Sequence, residues 1–323
     1  MIITPVSNNN YTVSRAIKRS NKQDFSPICT NRALKSDTVN FGANVEFYKF
    51  HPVNFFCNRL LKRSMMVSKN RYLSPIPELK GKIKNVVIKT SDNKELRSWE
   101  IKADKPDKYV LFLHGMSQNV SHNQPLYAEL NKAGYGILAL EYRGFGRNKQ
   151  TKVTEELINK DVEAGLQYLR EKVSAQNITV IGHSAGSSMA VDLASKNPDL
   201  GSVVLVSPIN GFGRAANYVL SNTKKKYLPN PVKSFILNHP KAMEVFNRVF
   251  KTEDKIQKIN APTYIIHSSN DSMIPVSTAA FLSSRAKNLA GFYQIPKGGH
   301  KMESYKIEGI TDILNYQKPN ISF

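Results

Sequence analysis

Two cysteines, one tryptophan and no long apolar run are what this 323-residue chain has least of, and each scarcity excludes something. Cys29 and Cys57 both lie ahead of the region that reads as a core, so no disulfide framework is implied and a reducing, cytoplasmic setting is expected. No segment approaches the roughly 18 apolar residues of a membrane-crossing helix. The start, "MIITPVSNNNYTVSR", lacks the apolar stretch of a secretory signal. Zinc-finger spacing, an RNP-like aromatic motif and basic-zipper heptads are all missing, so no nucleic-acid partner is expected. Acidic residues are also short: 25 Asp and Glu stand against 46 Lys and Arg, a net charge of +21. The plainer meaning of that excess is a well-solvated basic surface; the sharper one is peripheral attraction to an anionic membrane surface or an anionic substrate.

What is present is a globular composition, 41% hydrophobic and 22% charged, in a chain long enough to bury a large core. Residues 1–43 are polar, rich in Asn, Ser and Thr, and without hydrophobic period, and they read as a disordered basic tail. Residues 44–81 mix Phe55, Phe56, Leu60 and Leu61 with Arg59, Lys62 and Arg63, and Pro52 breaks any single helix through the stretch. This N-terminal extension is expected to pack on the main domain, with a cationic surface helix as the alternative. From residue 82 to 323 strand and helix patterns alternate. Two strands flank a turn at Asp92-Asn93, and "YVLFLHG" and "ITVIGHS" are short apolar runs of strands buried on both faces. Such alternation predicts an α/β domain with a mostly parallel central sheet and helices on both faces. The interval 210–258 is too long for one crossover and is expected to be an inserted helical lid.

Ligand sites of parallel sheets lie beyond the carboxyl ends of the strands. There "VIGHSAGSS" places Ser184 between Gly182 and Gly186, directly after an apolar strand and directly before a helix pattern. A sharp strand-to-helix turn strains the serine, and side chains at the flanking glycines would collide with backbone. A serine hydroxyl needs a base to become a nucleophile. Among the seven histidines, His300 in "PKGGHKM" follows the last predicted strand in a glycine-rich loop and is the best candidate. His51 and His122 lie away from strand ends, and His239 falls in the lid. His267 lies inside a predicted strand as a core residue, His114 packs its loop, and His183 points to the opposite side of the turn. No Asp or Glu occurs from Leu200 to Met243, which removes an orienting acid after "SVVLVSP". Asp271, in "HSSNDSMIP", follows the next strand and becomes the candidate acid. The oxyanion of an attacked carbonyl needs two backbone donors, expected at Ala185 and Met116.

The blocks "LFLHGMSQN", "LEYRGFGRN", "VIGHSAGS", "HSSNDSMIP" and "KGGH" resemble the successive signatures of the α/β-hydrolase superfamily. The nearest branch is that of monoglyceride-lipase-like and serine-aminopeptidase-like serine hydrolases, and the likeness spans about residues 82–317. It implies the α/β-hydrolase fold and a Ser184-Asp271-His300 triad in that family's chain order. It further implies an esterase, lipase, thioesterase or peptidase acting through an acyl-enzyme without cofactor or metal. Two positions depart from the pattern, Glu141 for a more usual Asp and Asn148 for a more usual serine. A hydrophobic, lipid-like acyl ester or thioester is the expected substrate, with an aminopeptidase-like serine peptidase as the alternative. A non-catalytic binding protein on the same fold is the reading from another class, and a serine-directed probe separates it.

Overall fold

The computed structural model describes residues 72–301 apart from 105, 117, 149–152 and most of 223–248, and beyond 301 it describes only Ile310 and Leu314. The expected tail over 1–43, most of the 44–81 extension, the body of the 210–258 insertion and most of residues 302–323 therefore lie outside the described residues.

Eight strands form one sheet: β1 (Ile83–Lys89), β2 (Glu95–Ile101), β3 (Tyr109–Leu113), β4 (Gly136–Leu140), β5 (Ile178–His183), β6 (Ser202–Val206), β7 (Thr263–Ser268) and β8 (Leu289–Ile295). Their order across the sheet is β1-β2-β4-β3-β5-β6-β7-β8. β1 and β2 form an antiparallel edge; every pair from β4 to β8 is parallel. The β1–β2 turn needs a left-handed residue, and Asn93 supplies it at φ 60°.

Helices cover both faces, which is why the central strands are apolar throughout rather than alternating. On β3, Leu111 and Leu113 point into one core with α2 (Glu155–Arg170), α3 (Ala185–Lys196) and α6 (Val276–Arg285). Val110 and Phe112 point into the other core with α1 (Gln124–Lys132), Ile310 and Leu314. Thr154 caps α2 by accepting the Leu157 N–H, and Glu155 and Glu156 sit in its first turn, where the helix dipole favours acids. Of the insertion, α4 (Phe212–Asn222) and α5 (Thr252–Lys255) are described.

Register decides where chemistry can occur. Leu113 pairs with Gly182, His183 with Val206, Val206 with Ile266, and Ser268 with Ile295. The carboxyl ends of β3, β5, β6, β7 and β8 therefore share one rim, and the loops carrying residues 114–116, 184, 207–209, 269–274 and 296–300 leave from it.

Candidate active site

Ser184 occupies the turn between β5 and α3 with φ 53° and ψ −119°, a left-handed conformation that a serine adopts only when its surroundings enforce it. Its N–H donates to the Val206 carbonyl at 2.9 Å, which anchors the turn to β6. The flanking glycines are required by contact. A Cβ on Gly182 would lie 2.5 Å from the Gly186 carbonyl oxygen, and one on Gly186 would lie 2.1 Å from the Leu113 carbonyl oxygen. Helix α3 thus starts against β3 with no room for a side chain.

Ser184 Oγ donates to His300 Nε2 at 2.9 Å, and His300 Nδ1 donates to Asp271 Oδ2 at 2.8 Å. The His300 side chain keeps 11% exposure while that of Asp271 has none, so the imidazole is reachable and the carboxylate is sealed behind it. Asp271 Oδ1 accepts the N–H groups of Met273 at 2.8 Å and Ile274 at 2.9 Å. Burial alone would raise the Asp271 pKa. Hydrogen bonds from His267, His300 and the Ile274 N–H outweigh it and hold the carboxyl well below the usual range.

The loop after β3 approaches from the other side: a Cβ on Gly115 would lie 3.2 Å from Ser184 Cβ. Met116 follows it, and Ala185 opens α3. Among the described residues, neither backbone N–H donates to a protein acceptor. Both residues belong to one apolar cluster: Ala185, Ile209 and Ile274 are buried, with Met116, Phe212, Ala215 and Met273 packed on them.

A match to the family model described as serine aminopeptidase, S33, covers residues 104–239. The lysophosphatidylserine lipase ABHD12 of Danio rerio is 23% identical over 264 residues, 77% of this chain and 68% of that protein. The human alpha/beta hydrolase domain-containing protein 17B is 26% identical over 225 residues, 68% of this chain and 70% of its own length. The solved structure of a Pyrococcus furiosus esterase superposes with a TM-score of 0.62 at 23% identity, covering 76% of this chain and 94% of that one. The chain has the α/β-hydrolase fold and is similar to members of that superfamily. By class it is a serine hydrolase, esterase- and lipase-like in kind.

In this fold the sequence-predicted residues Ser184, His300, Asp271, Met116, Ala185, Gly182 and Gly186 all meet at the one rim. Three histidines read as structural make contacts that the sequence did not show. The ring centre of His183 is 5.6 Å from that of His300, and its Nε2 donates to the His300 carbonyl at 2.9 Å. The backbone at 300 lies over the end of β5 and gives this buried ring an acceptor. Its Nδ1 faces Gln118 Oε1 at 3.1 Å, and the same oxygen accepts the Gly115 N–H at 3.3 Å. Burial, reinforced by the nearby His300, pushes the His183 pKa down to about 4. A ring unprotonated at neutral pH donates through one nitrogen, and the shorter bond holds the loop that carries His300.

His267 is a core residue as expected, but its Nε2 also meets Asp271. The signal was its place four residues before the acid at a strand end. His114 lies fully buried beneath the β3 loop, with Nδ1 donating to the Gly115 carbonyl at 2.9 Å and Nε2 3.1 Å from Glu141 Oε1. Glu141 in turn accepts the Tyr72 hydroxyl, and Asn148 ties β2 to the loop after β4 through the Arg97 N–H at 2.8 Å and the Glu141 carbonyl at 2.7 Å. The two departures from the family pattern thus hold loops together.

Proposed function

We propose that this protein hydrolyses an acyl ester or thioester bearing a hydrophobic acyl group, through an acyl-enzyme on Ser184. The observation that carries the reading is the unbroken hydrogen-bonded chain from Ser184 Oγ through His300 to the buried Asp271. His300 Nε2 takes the Ser184 proton as Oγ attacks the carbonyl carbon. The resulting oxyanion receives the N–H groups of Ala185 and Met116, the first of them also at the positive end of α3. Collapse expels the alkoxide or thiolate, which leaves with the proton from His300 Nε2. Water, deprotonated by the same nitrogen, then attacks the acyl-serine and releases the acid and free Ser184. Asp271 keeps the Nδ1–H tautomer in place and stabilises the imidazolium formed in each half-reaction.

The apolar cluster containing both donor residues supports an alkyl chain lying along Ile209, Phe212, Met273 and Ile274. Burying one methylene there contributes about 0.8 kcal/mol. Hydrolysis of nitrophenyl esters should therefore rise in kcat/KM with chain length until the wall is filled. A profile that falls from acetate onward would refute the acyl-pocket reading. The family-model description favours a second reading, an aminopeptidase. Such a site needs a carboxylate for a free amino terminus, and the segment from Leu200 to Met243 contains none. Faster turnover of aminoacyl amides than of any ester would favour the peptidase.

The excess positive charge is assigned to surface attraction. Lys224, Lys225 and Lys226 lie in that acid-free segment, and Arg59, Lys62 and Arg63 interleave with apolar residues near the start. Each such side chain near an anionic bilayer contributes about 1 kcal/mol, decaying within a Debye length of about 8–10 Å. Among the described residues no helix is long and apolar enough to cross a membrane. The enzyme should sediment with anionic vesicles at low salt and be released at high salt. Equal partitioning to neutral vesicles would return the charge to plain solvation.

A further inference from the structure

Behind Asp271 stands a second imidazole. His267 lies near the end of β7 with a fully buried side chain. Its Nε2 is 3.0 Å from the Ile274 carbonyl oxygen and 3.2 Å from Asp271 Oδ2. Its Nδ1 is buried with no hydrogen-bond partner among the described residues. These facts locate the proton. A carbonyl only accepts, so Nε2 carries hydrogen, whereas an Nδ1–H would be a buried donor with nothing to meet. The Nε2–H is shared between Ile274 and Asp271. The carboxylate thereby collects four donors: two backbone N–H groups on Oδ1, and His300 Nδ1–H and His267 Nε2–H on Oδ2.

We propose that His267 is a positioning residue for the reaction. It pins the Asp271 carboxylate from behind and, by donating to the oxygen that His300 uses, limits how tightly that oxygen holds the protonated base. The inference rests on the triad reading given above. A packing role alone does not explain the choice of residue, because an aliphatic side chain would fill the end of β7 without stranding Nδ1. The Ile274 carbonyl adds a second function: the loop that presents Met273 and Ile274 to the carboxylate is closed onto β7 by the same Nε2–H. Acid, loop and strand are thus joined at one hydrogen. The titratable groups facing Asp271 are His267 on β7, His300 on the loop after β8, and His183 at the end of β5.

Removing the His267 donor leaves Oδ2 more basic and more attractive to a charged His300. The base then stays protonated to a higher pH, and turnover is lost on the acid side. The test measures, from about pH 5 to 9, the rate of Ser184 modification by a fluorophosphonate and kcat/KM on an ester. His267→Leu and His267→Asn both delete a donor at the Nε2 position, whereas the amide nitrogen of His267→Gln reaches it. The two deletions should raise the midpoint of the acid limb by about half to one pH unit. They should lower the plateau about tenfold, the worth of one hydrogen bond to a charged group. His267→Gln should keep the wild-type midpoint and stay within about twofold of its plateau, a tolerance well below the effect of losing that bond. A folded Leu or Asn variant with wild-type midpoint and plateau overturns the inference, as does a Gln variant impaired like the others. If the Leu variant does not fold, the Asn–Gln pair decides. Wild-type protein that neither labels nor hydrolyses overturns the triad reading itself, and this inference with it; labelled wild type with unmoved variants overturns this inference alone.

Discussion

Asp271→Asn exchanges one oxygen for an amide group, and the surrounding donors allow two orientations, neither of which works. In the first, the remaining oxygen keeps the N–H groups of Met273 and Ile274, at 2.8 and 2.9 Å. The new NH2 then faces His300 Nδ1, which must become an acceptor, while His267 Nε2–H is left with the Ile274 carbonyl alone. The ring proton moves to Nε2, and Nε2 no longer accepts from Ser184. In the second, the oxygen faces His300 and the NH2 opposes two backbone donors. That sacrifices two hydrogen bonds at about 1 kcal/mol each plus the repulsion, so this orientation is populated at about 1%. Even then a neutral amide replaces a carboxylate beside the imidazolium, costing about 1.5–3 kcal/mol, or 10- to 100-fold. The product is a loss of about 10³–10⁴ in kcat/KM, in line with the loss expected when a triad base is held in the wrong tautomer. Steady-state hydrolysis of a short-chain ester reads the rate, and thermal unfolding checks that the variant folds. A folded variant within tenfold of wild type would mean that Asp271 does not set the tautomer of His300.

Two further outcomes follow from contacts around the serine. Gly186→Ala drives a Cβ to 2.1 Å from the Leu113 carbonyl oxygen, a backbone atom that cannot turn aside. It should cost about 3 kcal/mol or more or abolish soluble expression. Gly134→Ala, at φ 90° in open space, should cost about 1 kcal/mol; equal unfolding temperatures for the two would refute the packing argument. His183 titrates at about 4 when folded against an ordinary value of 6.5, so the unfolded chain binds more protons between those values and stability falls as pH drops through that window. The contribution is about 3 kcal/mol, fully present above about pH 6.5. His183→Gln should flatten the stability–pH curve there while keeping a donor to the His300 carbonyl. An unchanged slope would show that His183 does not carry that term.

Much of this was legible in the residues because the central strands are buried on both faces. "YVLFL" and "ITVIGH" are apolar without alternation, and β3 and β5 are fully buried. Asn93 marked the β1–β2 turn, and the strained Ser184 was announced by glycines that have no room for a Cβ. The acid-free run after β6 pointed past that strand to Asp271. What stayed hidden depends on distant backbone meeting a side chain. The His183 bond goes to a carbonyl 117 residues away. The double use of His267 requires the chain to reverse over 269–274 so that Ile274 returns to β7. The Arg143 pairings with Asp92 and Asp161 join the loop after β4 to the β1–β2 turn and to helix α2, and their spacing in sequence carries no pattern. Side-chain placement within the insertion was not legible from its composition, since Arg214 finds Glu253 from beyond the acid-free run.

The central claim is that Ser184 is the atom-level nucleophile of this hydrolase. It is tested most directly by treating the intact protein with a fluorophosphonate, mapping the modified peptide, and repeating both labelling and ester hydrolysis with Ser184→Ala. The account predicts a single adduct on Ser184, with labelling abolished and turnover lowered by about 10⁴–10⁶ in the variant. An adduct on another residue, or undiminished turnover by Ser184→Ala, would contradict it.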